Sequence, residues 1–148
     1  MTSDCPLIDG QIIAEGLDQY LKLKDKNVYY SNSLTRTFPR GLDFEIFSFS
    51  QLKTAYLNAT IESDTEHVTP YINQNKSGTT VVVNHTAIEN YSDLRWTLDT
   101  EDDWKLLSIL IGDYNVGELL YSEILKIVLQ HPELTTMNNH IKQKEIKL

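Results

Sequence analysis

Two aspartates are the residues best placed to do chemistry, because each is expected where an extended segment ends. Asp4 lies in a strand-end loop at residues 3–6, and Asp99 follows an extended run at residues 94–98. Carboxylates at the carboxyl edge of a sheet in open α/β folds face the ligand crevice. Magnesium bound to phosphates takes one or two protein carboxylates and completes its shell with water and phosphate oxygens. If the two strands are neighbours, Asp4 and Asp99 together supply such a site.

The same carboxylates also fit a structural role. Aspartate before a helical run commonly caps the helix, an alternative that stays open for Asp4 and is favoured for Asp9. Asp99 and Thr100 precede three further acidic residues at positions 101–103. An acidic first turn is stabilised by the helix macrodipole, which explains residues 101–103 and also offers an explanation for Asp99.

A second group of charged side chains lies on a loop and the strand that leaves it. It consists of Arg36, Arg40, Asp43 and Glu45, with Pro39 and Gly41 shaping the backbone between them. Arginine forks suit a carboxylate or phosphate on a ligand, so these residues are candidates for substrate binding. The alternative is a surface loop held by its own ion pairs.

Other nucleophiles and metal ligands are not suggested by the spacing of cysteine and histidine. Cys5 is the single cysteine, and His67, His85, His131 and His140 show no metal-ligand spacing with it or with one another. Neither a zinc site nor a nucleophile triad is predicted.

The bulk composition is that of one globular domain. The chain has 148 residues with a formal charge of −8, from 21 acidic and 13 basic residues. We expect a single unit over 1–148, with a core at 1–113 and a C-terminal helix and tail at 114–148. The negative charge disfavours binding to nucleic acid or anionic lipid. Without a signal peptide or a membrane-length apolar run, a cytoplasmic location is expected.

Helical and extended patterns alternate along the chain, which predicts a layered α/β fold with a mixed sheet flanked by helices. Helices are predicted at 8–24, 48–60, 63–73, 100–113 and 122–130, the last ended by Pro132, and strands at 27–31, 43–48, 79–83 and 94–98. In nucleotide-binding α/β domains a glycine-rich phosphate loop normally follows the first strand, and no such loop opens this sequence.

Four stretches of sequence carry a family resemblance. They lie in order at residues 2–9 (TSDCPLID), 36–45 (RTFPRGLDFE), 66–72 (EHVTPYI) and 94–102 (LRWTLDTED). Together they resemble the cytidylyltransferase-like proteins of spore coat polysaccharide biosynthesis, relatives of the CMP-sialic acid and CMP-KDO synthetases. The resemblance runs from residue 1 to about residue 143 and implies a GT-A-like nucleotidyltransferase fold.

By that resemblance, the activity is transfer of a cytidylyl group from CTP to an acidic or related sugar, with magnesium and release of pyrophosphate. Asp4 and Asp99 match metal positions of the related enzymes. Arg40, Asp43 and Glu45 match the loop and strand beside the acceptor sugar. The sugar hydroxyl attacks the α-phosphate in line, so no covalent enzyme intermediate is implied.

One departure from the family pattern bears on activity. Family members begin with a strand and an arginine- and lysine-containing loop that grips the triphosphate, and no such motif precedes Asp4. We therefore expect a C-terminal portion, truncated at its N-terminus and inactive alone. It would form homo-oligomers or associate with a missing N-terminal segment. The alternatives are a non-catalytic remnant, a self-association module or a sugar-binding domain.

Overall fold

A computed structural model describes residues 4–61, 64 and 69–142, which form helices packed around a small sheet. In chain order the elements are α1 (Gly10–Lys22), β1 (Val28–Ser31), β2 (Glu45–Ile46), α2 (Phe49–Asn58), α3 (Pro70–Asn73), β3 (Val81–Asn84), α4 (Glu101–Gly112), a 3₁₀ helix (Val116–Glu118), α5 (Tyr121–Gln130) and α6 (Pro132–Thr136).

The sheet has the order β2-β1-β3 and is mixed. Tyr30 of β1 lies opposite Ile46 in the antiparallel pair with β2 and opposite Val83 in the parallel pair with β3. All four residues of β1 are buried, as its run of Val and Tyr favours. The predicted α/β class is therefore confirmed. The parallel strands β1 and β3 end at the same edge, where open α/β folds bind ligands.

The beginning of α1 is fixed by Asp9. One oxygen of its carboxylate accepts a 2.6 Å hydrogen bond from the backbone N–H of Gln11, so the capping interpretation is confirmed. The other oxygen accepts a 2.7 Å bond from the backbone N–H of Tyr121, at the start of α5. One buried carboxylate thus satisfies backbone donors at the starts of two helices.

Reciprocal capping sets the starts of α2 and α4. The Ser48 side chain accepts from the backbone N–H of Gln51, whose side chain accepts from the Ser48 N–H. Thr100 and Asp103 make the same exchange at α4. Ser48 therefore caps α2, and the acidic helix start expected at residues 101–103 is confirmed.

The larger apolar cluster contains residues from both sides of position 113. Trp96, Leu42 and Leu110 lie at its centre, each at most 1% exposed. Four residues from the C-terminal part belong to the same cluster, namely Val116, Ile124, Val128 and Leu134. Residues on both sides of position 113 therefore exclude water from a shared interior.

Gly41 is required by its conformation and by its neighbour. Its φ is +102°, and a Cβ there would lie 2.6 Å from the carbonyl oxygen of Trp96. Only glycine adopts this backbone without strain and leaves room for so close an approach. It allows the loop that carries Arg40 to lie against residues 94–98.

The strand predicted at 94–98 is wrong. The N–H of Arg40 donates to the carbonyl of Leu94 at 2.9 Å and the N–H of Trp96 to that of Arg40 at 2.7 Å, but the N–H of Leu98 donates to Asp4. Because the hydrogen bonds are divided between two chain segments, only an isolated parallel bridge forms, between Arg40 and Arg95.

Two other predicted elements differ in extent from those in the structure, and a third lies partly outside the described residues. The strand predicted at 43–48 pairs only through Glu45 and Ile46. Pro132 follows α5 as predicted, but it also opens α6, since a helix needs no N–H at its first position. Of the helix predicted at 63–73, residues 63 and 65–68 lie outside the described residues, and the described part is α3.

A membrane-spanning helix is not among the elements described. Within residues 4–61, 64 and 69–142, every helix is too short or too polar to cross a bilayer.

Candidate functional site

The loop that holds Asp4 lies directly against the segment that leads to Asp99. The carbonyl oxygen of Asp4 accepts hydrogen bonds from the N–H of Leu98 at 2.7 Å and from the hydroxyl of Thr97 at 3.1 Å. Because Asp99 follows Leu98 directly, the structure brings together the two loops that carry the predicted metal-binding aspartates.

The two carboxylates differ in their surroundings. Asp4 is half-buried, and the Cys5 thiol donates a long 3.9 Å hydrogen bond to its carboxylate. The Asp99 side chain is 40% exposed, and one oxygen accepts a 2.6 Å bond from Arg95 Nη2. Partly exposed oxygen ligands of this kind fit Mg²⁺.

The described residues hold no cluster of three or more His, Cys, Asp or Glu side chains suited to a metal. A magnesium ion at these loops would therefore rest on Asp4 and Asp99, with water and phosphate oxygens completing its shell. That donor set suits an ion that enters with a nucleotide. The role of the two aspartates in binding it stays a prediction.

Asp99 is held by a buried ion-pair network that the sequence interpretation did not include. Arg95 donates to both oxygens of Asp103, at 2.8 and 3.0 Å, as well as to Asp99. Asp103 is 0% exposed and Arg95 7% exposed. The Asn138 side chain donates to Asp103 at 2.8 Å and to the Arg95 carbonyl at 3.0 Å. The network thus joins the loop before α4 to the C-terminal part of the chain.

Asp103 also fixes the backbone of the turn. One of its oxygens accepts from the N–H of Asp99 at 3.1 Å and from the N–H and hydroxyl of Thr100, each at 3.0 Å. Burial by itself raises the pKa of Asp103, but the hydrogen bonds from Arg95, Asn138 and the turn outweigh it and lower the pKa to about 2. Asp103 is therefore charged at neutral pH and acts as the anchor of the Asp99 turn.

Three of the four candidate residues on the 36–45 segment are used within the fold. Arg36 forms a two-pronged ion pair with Asp43. Glu45 accepts hydrogen bonds from the hydroxyls of Tyr29 and Thr69. For these residues the structure shows the internal pairing that was the alternative to ligand binding.

Arg40 is different. Within the described residues, no carboxylate lies within salt-bridge distance of its guanidinium, which is half-buried in a cleft of about 200 Å³. Burial lowers its pKa most, the charges of Arg36 and Arg95 lower it further, and those of Asp43 and Asp99 raise it. A half-buried cation without a paired carboxylate is suited to an anionic ligand group.

The sequence signal for the missed network was present but weak. Arg95 lies beside Trp96 in the largely apolar run at 94–98. An arginine that becomes buried with such a run needs an acidic or polar partner. Asp103 was assigned to the helix dipole alone, and nothing local connects Asn138 with it, since 35 positions separate them.

Comparison with known proteins places the fold. No family model matches the chain. It is 28% identical over 148 residues to an uncharacterised protein of Methanocaldococcus jannaschii, a match that covers 99% of this chain and 59% of the relative. A cytidylyltransferase from Leptospira borgpetersenii superposes with a TM-score of 0.83 and 26% identity. That match covers 98% of this chain and 59% of the enzyme, so the chain spans less than two-thirds of either protein. The chain has a cytidylyltransferase-like fold.

Proposed function

We propose that this chain is part of a nucleotidyltransferase that transfers CMP from CTP to an acidic or related sugar for a surface polysaccharide. The observation that supports it most is the contact between the Asp4 loop and residues 97–98, within a fold that matches a cytidylyltransferase. The contact supports the proposal because it joins the loops that carry the two aspartates, and a magnesium–nucleotide site needs one or two carboxylates.

In the proposed reaction, the oxygen of a sugar hydroxyl forms a bond to the α-phosphorus of CTP and its proton passes to water. The bond from that phosphorus to the bridging oxygen breaks, and pyrophosphate leaves. Asp4 and Asp99 would hold a magnesium ion, which would offset the negative charge on the phosphate oxygens. Arg95, itself held by buried Asp103, keeps the Asp99 carboxylate in position. Arg40 binds an anionic group of the substrates from its cleft.

The test is release of pyrophosphate from CTP and a panel of sugars with Mg²⁺. Because the chain spans 59% of the Leptospira enzyme, it is assayed alone and mixed with the segments of that enzyme outside the match. Asp4→Asn and Asp99→Asn are each expected to lower the rate by about 10²-fold or more, since each removes a charged ligand from the metal.

Asp102→Asn is the matched control, because Asp102 lies on the same helix start but pairs at the surface with Lys105 and His140. Its rate should equal that of the parent. Binding of Mn²⁺, followed by paramagnetic broadening of NMR signals, gives a readout without turnover. Parent-like Mn²⁺ binding and rates in both aspartate variants would exclude the proposed metal site.

Self-association is a second candidate, supported by one exposed surface. Phe49, Tyr56 and Leu57 of α2 are 79%, 84% and 67% exposed, on a helix face that also carries the exposed Lys53. Sedimentation velocity tests it. The parent should form dimers or larger species that Tyr56→Glu dissociates, and a parent that stays monomeric across the accessible concentration range would refute it.

A further inference from the structure

A cleft of about 390 Å³ opens at the edge where the parallel strands β1 and β3 end. His85, the residue after β3, lies in its wall, and residues from α1, the Phe38 loop and the start of α5 complete it. Its volume is within the range of about 300–1,000 Å³ that small-molecule sites occupy. Asp4, Asp99 and Arg40 are not among the residues that line it.

Three of the residues that line the cleft carry rings, namely Phe38, His85 and Tyr121. The Phe38 and His85 rings stack with a centroid distance of 5.6 Å and an interplanar angle of 7°, and the Tyr121 ring lies 5.7 Å from that of Phe38. Ile88 at the rim is fully exposed. Such surfaces suit a ligand with a flat C–H face, and a saturated sugar ring presents one.

His85 provides a polar contact beside these rings. Its Nδ1 shares a 3.0 Å hydrogen bond with the hydroxyl of Tyr30, whereas its Nε2 has no hydrogen-bond partner within the described residues. Burial lowers the pKa of His85, against the opposing effect of Glu15, so the ring is neutral at pH 7. A neutral imidazole offers one hydrogen bond to a ligand hydroxyl.

The charges around the cleft oppose an anionic ligand. No lysine or arginine lines it, and its two carboxylates belong to Asp9 and Glu15. Both oxygens of Asp9 are engaged with backbone N–H groups, but Glu15 is exposed at the wall and close enough to His85 to influence it. Glu15 would repel a sugar carboxylate or phosphate and attract an amine.

We infer that the cleft formed by Phe38, His85, Ile88, Tyr121 and Glu15 binds a neutral or amine-bearing sugar. The substrate class implied by the family resemblance is an acidic sugar, so the two expectations differ. An acceptor role for this sugar would rest on the proposed CMP transfer. Binding of the sugar to the cleft is independent of that proposal, because it requires neither CTP nor a metal.

The experiment is saturation-transfer difference NMR on the 148-residue chain, without nucleotide or metal. Glucose, glucosamine and glucuronic acid are the probes, since they share a ring and differ in charge. Ring-proton signals are expected from glucose and glucosamine but not from glucuronic acid. His85→Ala should weaken binding about tenfold through loss of a hydrogen bond and a ring contact. Asp102→Asn, at a surface ion pair outside the cleft, should leave binding unchanged.

Glu15→Gln supplies a variant whose folding is not at risk, because the side chain is exposed on α1. It should weaken glucosamine binding about two- to fivefold, as expected for one exposed charge pair, and leave glucose binding unchanged. Preferential binding of glucuronic acid, or binding of no probe, would overturn the inference. If the sugars bind but CMP transfer never occurs, the cleft assignment stands and the proposed function fails.

Discussion

Replacement of Asp103 by asparagine tests the buried network most directly. The change keeps the shape of the side chain but removes the charge that faces Arg95, whose guanidinium is 7% exposed. Arg95 would lose the carboxylate to which it donates two hydrogen bonds, while its 2.6 Å bond to the partly exposed Asp99 would remain. Loss of one partner from a buried ion pair costs about 3–5 kcal/mol, because the remaining charge stays desolvated.

The pKa of Asp103 gives a second measure of the same interaction. Its fall from 3.8 to about 2 corresponds to roughly 2 kcal/mol. Because the folded-state pKa is the lower one, this stabilisation is complete above pH 3.8 and is lost as the pH falls towards 2. The difference in unfolding free energy between parent and Asp103→Asn should therefore shrink across that range.

Urea unfolding followed by tryptophan fluorescence measures these free energies. Trp96 is 1% exposed and reports on the core, so Trp104, which is 60% exposed, is replaced by phenylalanine in every variant. Asp102→Asn is the control, with an expected change within about 0.5 kcal/mol. An Asp103→Asn protein within about 1 kcal/mol of the parent at pH 7 would show that the network does not anchor the turn.

Three further predictions concern local features and are tested by thermal and urea unfolding. Gly41→Ala should lower the free energy of unfolding by about 1–3 kcal/mol from backbone strain alone. Gly112→Ala, with open space around it, should be neutral or slightly stabilising. Equal effects of the two substitutions would show that the positive φ of Gly41 is not strained by a side chain. Asp9→Ala should cost about 2–4 kcal/mol, since it removes a cap and a charged bond to the Tyr121 N–H, and Asp9→Asn should recover the cap. Ser48→Ala should cost about 1 kcal/mol, and no change would show that its capping bond contributes little.

Elements that depend on local chemistry were predictable from the sequence. The caps at Asp9 and Ser48 satisfy helix N–H groups within three residues of themselves, and the strand predicted at 79–83 overlaps the edge strand β3, Val81–Asn84. These features follow from side-chain types and short spacings, without reference to the rest of the chain.

The predictions that failed or missed a residue concern contacts distant in sequence. The segment 94–98 has the composition of a strand, but the positions of Arg40 and Asp4 decide where its hydrogen bonds go. His85 was set aside because its spacing from other histidines suggested no metal site. Its place between Phe38 and Tyr30 depends on the packing of three separate segments.

The bonds that hold the N-terminal loop have a consequence for folding. Asp4 contacts Thr97 across 93 positions, and Asp9 contacts Tyr121 across 112. On the ribosome, this loop leaves the exit tunnel before Thr97 and Tyr121 and cannot form these bonds until both partners have been made. Contacts between residues so far apart in sequence slow folding, and apolar helix faces are exposed until they form. We therefore expect the Asp4 loop to be among the last regions to gain protection from hydrogen exchange during refolding.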